Sequence, residues 1–185
     1  MPPYHSSVPF NDQKVISNIP LLPLKVTTKG TGTRGPAPVV ANNTDRDIVD
    51  ESLELFKANI FFSSFEIKDR SDQLLVYCIL YIVLCLRMIQ KCATKERAVK
   101  EMFTLALEKF DLPGDAGFPL NCYYEPAKSQ QDRDTLHKYL TQIRSEIGAR
   151  LLERVFDPKI SVDGKPSKWW MCFARKRFLN VELSK

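Results

Sequence analysis

The sequence has little of what a nucleotide site or a catalytic centre would need. It contains only 2 histidines and 7 glycines among 185 residues. Its one glycine-rich stretch, residues 30–35, lacks the lysine and hydroxyl residue that complete a phosphate-binding loop. Neither His5 nor His137 has a serine, cysteine or aspartate at a recognised catalytic spacing. We therefore expect no enzyme activity and no bound cofactor.

The five cysteines are not spaced in the sequence as a metal centre or a local disulfide would need. Cys78, Cys85 and Cys92 are spaced by seven residues, which separates neighbours on a helix by about 10.5 Å. A disulfide needs a Cα separation of at most about 7 Å, and zinc needs its ligands around one ion. Cys122 and Cys172 have no histidine or second cysteine nearby. We expect small packing residues, no metal, and a reducing, cytoplasmic setting.

No apolar run reaches the roughly 20 residues of a membrane-spanning helix. The longest, residues 74–86, contains thirteen. Its length favours a helix, although its valines, isoleucines and tyrosines leave a buried strand as the alternative. A helix that is apolar all round is buried on every side. We therefore predict a central helix at about 74–90 and no membrane span.

Apolar periodicity predicts three further helices around this central one. They begin near Thr44 or Asp45, at residue 94 and at residue 132, and end near residues 60, 110 and 156. The predicted inner faces are Val49, Leu53, Phe56 and Ile60; Val99, Met102, Phe103, Ala106 and Phe110; and Leu136, Leu140, Ile143, Ile147 and Leu151. The predicted solvated face of the last helix carries Arg144, Glu146, Arg150 and Glu153. The predicted fold class is all-α, a single-domain helical bundle over residues 45–185.

Four carboxylates crowd the start of the first predicted helix: Asp47, Asp50, Glu51 and Glu54. They could form a catalytic cluster. A solvated helix start, where the helix dipole favours anions, explains the same residues more simply. We adopt this second interpretation.

Residues 1–44 differ in composition from the rest and are predicted to form an extended arm. They hold 7 of the 12 prolines, which disfavour long helices and central strands. Short apolar groups remain at Tyr4, at Phe10 and at residues 21–24. These side chains would pack into grooves of the chain's own core or of a neighbouring protein, and a loose tail is the alternative.

The C-terminal segment, residues 166–180, carries the strongest indication of a partner. It contains both tryptophans of the chain beside a dense group of cations. The formal net charge is +5, and the cations are in excess at the two ends of the sequence. If the segment is helical, Trp170 and Phe178 fall on its apolar face and complete the core. The predicted partner-interface residues are Lys168, Trp169, Arg175, Lys176 and Arg177. A helical nucleic-acid-binding protein is the alternative that this mixture leaves open.

Short motifs spread in order along nearly the whole chain carry a family resemblance. They are residues 4–6 (YHS), 21–24 (LLPL), 35–38 (GPAP), 47–51 (DIVDE), 56–59 (FKAN) with 61–62 (FF), 66–68 (EIK), 117–121 (GFPLN), 150–156 (RLLERVF) and 166–170 (PSKWW). Together they resemble subunit 3 of the actin-related protein 2/3 complex, the 21 kDa subunit family. The chain departs from that pattern at residues 31–34, a small insertion, and at Ala116, where the family has proline.

The resemblance implies a non-catalytic, all-helical subunit of a seven-protein assembly that nucleates branched actin filaments. It implies packing against actin-related protein 3, help in docking on the mother filament, and a place in the cytoplasmic actin cytoskeleton. ATP would belong to the actin-related subunits, so no cofactor is expected here. The expected partners are those subunits and the actin filament, not nucleic acid, a membrane or a second copy of this chain.

Overall fold

The computed structural model describes residues 2–25, 35–40 and 45–184. The elements in chain order are β1 (Val15–Ile16), β2 (Ile19–Pro20), α1 (Ile48–Asn59), α2 (Arg70–Gln90), α3 (Lys95–Leu107), α4 (Gln130–Val155) and α5 (Lys168–Met171). The all-α prediction is wrong, because the described residues form five helices and a two-stranded antiparallel sheet, with long irregular segments between them.

The missed sheet is a tight hairpin in the proline-rich arm. Ser17 and Asn18 form its turn with φ values of 56° and 67°, and positive φ at both positions matches the twist of a two-residue hairpin. Ile16 pairs with Ile19. The next bond of the ladder runs from the Leu21 amide to the Lys14 carbonyl at 2.8 Å. Pro20 is tolerated because its position in the ladder needs no N–H donor.

Helix α2 lies at the centre of the core and is longer than its apolar run. Asp69 accepts a hydrogen bond from the Arg70 amide and so caps the helix, which adds a polar first turn and brings the length to 21 residues. By length and composition α2 could cross a membrane. However, 94% of its most apolar window is buried inside the protein, as in the core helix of a folded domain.

Helix α3 buries a narrower face than the sequence predicted. Met102 and Ala106 are buried, together with Ala98 and Leu105. Val99 and Phe103 are 48% and 53% exposed, so their placement in the core was wrong. The helix lies against α4 and α2 on one side, and an i, i+4 stripe at its edge is left in solvent.

Helix α4 confirms its predicted apolar stripe, since all five residues of that stripe are fully buried. Its charged side is different from the prediction. Arg144, Glu146 and Arg150 are buried, and only Glu153 is exposed as expected. Arg144 is stacked between rings, with its guanidinium carbon 4.5 Å from the Tyr81 centroid and 4.1 Å from that of Phe110.

The proline-rich arm packs on the chain's own core over the described part, so the loose tail is excluded there. Ile16, Ile19, Leu22 and Leu24 are buried. The Tyr139 hydroxyl of α4 donates to the Leu22 carbonyl at 2.9 Å. Residues 26–34 and 41–44 lie outside the described residues, and with them Thr44 and the insertion at 31–34. The division of the chain at residue 44 stays a prediction.

Candidate partner interface

The C-terminal segment forms a single helical turn rather than the long helix considered above. Ser167 caps α5, and the chain then continues as turns to an isolated bridge between Phe178 and Val181. Leu179 and Asn180 have φ values of 54° and 59°, which reverse the chain and end any helix. Trp170, Ala174 and Phe178 are nevertheless buried, so the assignment of Trp170 and Phe178 to the core is confirmed.

The two tryptophans have opposite environments. Trp170 is 5% exposed and stacks on Phe56 with ring centroids 6.0 Å apart. Trp169 is 60% exposed, and the Lys168 ammonium lies 5.2 Å from its ring centroid. Trp169 also forms one wall of an open groove lined by Ile160, Val162 and Pro166, among others. Trp169 is therefore the tryptophan that a partner can reach.

The turn that carries Arg175 and Lys176 is fixed to α2 by Arg87. The Arg87 Nε donates to the Ala174 carbonyl at 3.0 Å, and Nη2 donates to the Lys176 carbonyl at 3.3 Å. Arg175 and Lys176 are exposed. Neither pairs with a carboxylate within residues 2–25, 35–40 and 45–184. Two unpaired cations are thus presented on a fixed backbone.

Arg177 differs from its two neighbours because its charge is already paired. Its Nε lies 2.6 Å from Oε1 of Glu182, and the other oxygen of Glu182 accepts from Arg87 at 2.5 Å. The hydrogen bond from Arg87, with a further one from Arg177, holds the pKa of the Glu182 carboxyl below its usual value. Arg177 therefore finds its acceptor within its own fold.

Sequence reasoning missed Phe61, which follows α1 and is 65% exposed. Its ring lies 5.9 Å from that of Phe173, and the Lys176 ammonium lies 5.6 Å from the Phe61 centroid. The Lys57 ammonium lies 5.9 Å from the Phe173 centroid. We call Lys57, Phe61, Phe173 and Lys176 the Phe61 patch. The pair at residues 61–62 belongs to the motifs of the family resemblance, but the sequence pattern does not show that the Phe61 ring is exposed.

The structure does not bring the five predicted interface residues into one cluster. Lys168 and Trp169 contact each other beside the groove. Lys176 belongs to the Phe61 patch, Arg175 is exposed, and Arg177 is paired with Glu182. The exposed aromatic and cationic side chains therefore form two groups, one at α5 and the other at the end of α1.

The carboxylates at the start of α1 are structural, and the solvated interpretation is wrong for two of them. Asp47 and Glu51 are each 1% exposed. Asp47 caps α1 and accepts from Arg150. Glu51 accepts from the Ser6 and Ser7 hydroxyls at 2.5 and 2.6 Å. The acceptor capacity of these two carboxylates is therefore used within the fold.

The three cysteines of the central region are packing residues, as predicted. Cys78, Cys85 and Cys92 are buried, and burial raises the pKa of Cys78 and of Cys85 to about 12. Those two thiols stay protonated and unreactive at neutral pH. Within residues 2–25, 35–40 and 45–184, no group of three or more His, Cys, Asp or Glu side chains could hold a metal ion.

Comparison with known proteins places the chain in a family. The family model described as "P21-Arc: ARP2/3 complex ARPC3 (21 kDa) subunit" matches residues 1–183. The subunit 3 of the actin-related protein 2/3 complex of Saccharomyces cerevisiae is 44% identical over 188 residues, covering 99% of this chain and 100% of that protein. That of Dictyostelium discoideum is 42% identical, covering 97% and 99%.

A probable subunit 3 from Caenorhabditis elegans is 45% identical over 190 residues, covering 99% of this chain and 96% of the relative. The matches therefore extend over the arm, the helical core and the C-terminal turns together. The family resemblance inferred from the short motifs is confirmed. This chain belongs to the family of the 21 kDa subunit, subunit 3, of the actin-related protein 2/3 complex.

Proposed function

We propose that this chain is a non-catalytic structural subunit of the actin-related protein 2/3 complex, in which it supports the nucleation of branched actin filaments. The observation that carries the proposal is the match to subunit 3 proteins over nearly the full length of both chains. A structural subunit contributes to its complex through its contacts with the other subunits. The proposed location is accordingly the cytoplasmic actin cytoskeleton.

The finer part of the proposal concerns the partners. The chain packs against actin-related protein 3 and helps the complex dock on the mother filament, without pairing with a second copy of itself. The groups that support a docking role are exposed aromatic and cationic side chains on a fixed backbone. We propose that the interface residues are Lys168, Trp169, Arg175, Lys176 and Arg177. Arg177 would contact the partner while it stays paired with Glu182.

The domain division belongs to the same proposal. Residues 45–185 form the body that carries the interface, and residues 1–44 form an arm that stabilises this body. The described part of the arm supports the stabilising role, because its buried apolar residues pack on the chain's own core.

Capture of the tagged chain from cytosol tests membership of the complex. We expect actin-related proteins to be recovered with it in stoichiometric amounts. Complexes reconstituted with and without the chain would then be compared by microscopy for branch number on preformed filaments. Recovery of the chain alone, or equal branching by both complexes, would contradict the proposal.

A charge-reversal variant tests the interface residues. The double variant Lys168→Glu, Arg175→Glu should weaken incorporation or filament attachment, because it places anions where the proposed surface is basic. The matched control is Lys95→Glu with Lys100→Glu, two exposed lysines of α3. Equal loss in both double variants would show that the position of the charge is unimportant.

A further inference from the structure

We propose that the Phe61 patch docks on a carboxylate-rich surface of another subunit, with the Phe61 ring entering an apolar hollow among the acidic groups. The proposal adds Lys57 and Phe61, which lie at the end of α1, to the surface that the C-terminal segment begins. It rests on the proposed function, because it assumes that the chain is assembled with other subunits.

The exposed ring of Phe61 is held on a well-fixed backbone. The residue before it, Ile60, is 1% exposed. The carbonyl of the residue after it, Phe62, accepts from the Leu179 amide at 3.1 Å. The backbone therefore cannot withdraw the ring into the core without breaking these contacts. A large aromatic presented in this way contributes much contact area at a small cost in conformational entropy.

Two cations flank the aromatic centre of the patch and form no ion pair with the residues that the structure describes. The Lys57 ammonium lies 4.3 Å from the Trp170 centroid, and that of Lys176 lies 5.6 Å from the Phe61 centroid. No carboxylate in the described part of the chain forms an ion pair with either lysine. Arg175, which is exposed and precedes Lys176 in the chain, adds a third positive charge. A surface of one sign gains most from a partner of the opposite sign.

The same geometry favours a protein over a nucleic acid. Recognition of bases needs open aromatic faces for stacking. In the patch, Lys176 lies over the Phe61 ring and Phe173 packs against it. A phenylalanine that is 65% exposed and has flanking lysines instead fits an apolar hollow rimmed by aspartate or glutamate.

A reconstitution experiment tests the inference on the full chain. The remaining subunits, purified from cells that lack this chain, are mixed with the parent protein or with one of two variants, Phe61→Ser and Lys57→Glu with Lys176→Glu. The controls are Phe103→Ser, an aromatic of α3 that is 53% exposed, and Lys95→Glu with Lys100→Glu. Apparent affinity is measured at two salt concentrations, and urea unfolding checks that each variant folds.

We expect each patch variant to lower the affinity at least tenfold and to fold as stably as the parent, and the controls to bind normally. The charge-reversal variant should also lose most of the salt dependence of binding.

Normal binding by both patch variants, or equal loss of affinity in the α3 controls, overturns the inference while the proposed function stands. Failure of the parent protein itself to bind the other subunits contradicts the proposed function instead. Stronger binding of a single-stranded RNA oligonucleotide by the parent than by Phe61→Ser would overturn the choice of an acidic protein partner.

Discussion

Arg150 of α4 forms a two-point ion pair with Asp47, the residue that caps α1. The Nη1–Oδ1 and Nη2–Oδ2 distances are 2.6 and 2.9 Å. Nη2 also donates to the Lys25 carbonyl at 2.8 Å, while the Lys25 amide donates to Asp47 at 2.9 Å. One guanidinium thus joins two helices and the arm. Burial alone would lower the pKa of Arg150, but the bonds and charges of Asp47 and its neighbours raise it.

Removal of the Arg150 charge should strongly destabilise the fold. The variant Arg150→Met leaves the buried Asp47 carboxylate without its partner, a loss that costs about 3–5 kcal/mol. Urea unfolding followed by circular dichroism measures the change. The control is Arg154→Met in the last turn of α4, which should change the unfolding free energy by less than about 0.5 kcal/mol. Similar stabilities for the two variants would contradict the structural role of this pair.

The two adjacent tryptophans should respond very differently to truncation. Trp170→Ala removes a buried ring that stacks on Phe56, and a cost of about 3–5 kcal/mol is expected. Trp169→Ala removes a ring that is 60% exposed, and the expected change is within about 0.5 kcal/mol. Both are read from urea unfolding. A large loss for Trp169 would mean that its ring is buried in the isolated chain.

The first residues of the arm should loosen when Asn59 is changed to alanine. The Asn59 side chain accepts from the Tyr4 amide at 2.8 Å and donates to the Tyr4 carbonyl at 2.9 Å. Loss of both bonds should cost about 1–3 kcal/mol locally. Hydrogen exchange of residues 4–8 should therefore accelerate at least tenfold, while the amides of α2 keep their protection. Glu54→Gln, which affects only an exposed pair with Arg46, is the control and should leave exchange unchanged.

His137 should make stability fall as the solution becomes acidic. Its ring stacks on Phe110 with centroids 4.7 Å apart. Burial, with the nearby charges of Arg144 and Arg133, lowers its pKa in the folded protein. The unfolded chain, with a pKa of about 6.5, binds the proton first. The contribution of neutral His137 is therefore present above pH about 6.5 and is lost as pH falls through the lower folded pKa.

The variant His137→Phe keeps a ring on Phe110 and removes the titration. Its unfolding free energy should depend less on pH between pH 7 and 5 than that of the parent. His5 is present in both proteins, so its contribution cancels in the comparison. Parallel stability curves for the two proteins over this range would show that His137 titrates alike in both states.

The sequence predicts those parts of the fold that depend on local pattern. The apolar run in α2 and the stripe of α4 need no knowledge of the rest of the chain, and both were placed correctly. Val99 and Phe103 were misplaced because periodicity identifies an apolar stripe without showing whether a neighbour covers it. The hairpin was missed because Pro20 disfavours a strand in general, whereas its tolerance depends on one position in the ladder.

The largest error of the sequence prediction was to place buried charged residues in solvent. The cause is that their partners lie far away along the chain. Arg150 looks like a surface residue of α4 because its partner Asp47 is 103 residues away. Arg144 is buried between the rings of Tyr81 and Phe110, which belong to other segments. The interface itself stays a prediction, which in sequence rests on the C-terminal tryptophan and cations. Phe61 could be added to the proposal only because folding brings the end of α1 beside Phe173.

The arm imposes an order on folding during synthesis. Leu22 is bonded to Tyr139 and Lys25 to Arg150, partners 117 and 125 positions further on. The ribosome releases the arm first, yet most of the chain must follow before these bonds can form. Synthesis adds about 5–20 residues per second. The apolar side chains of the arm are therefore exposed to solvent for a time on the order of ten seconds. These side chains stay uncovered until α4 has been synthesised.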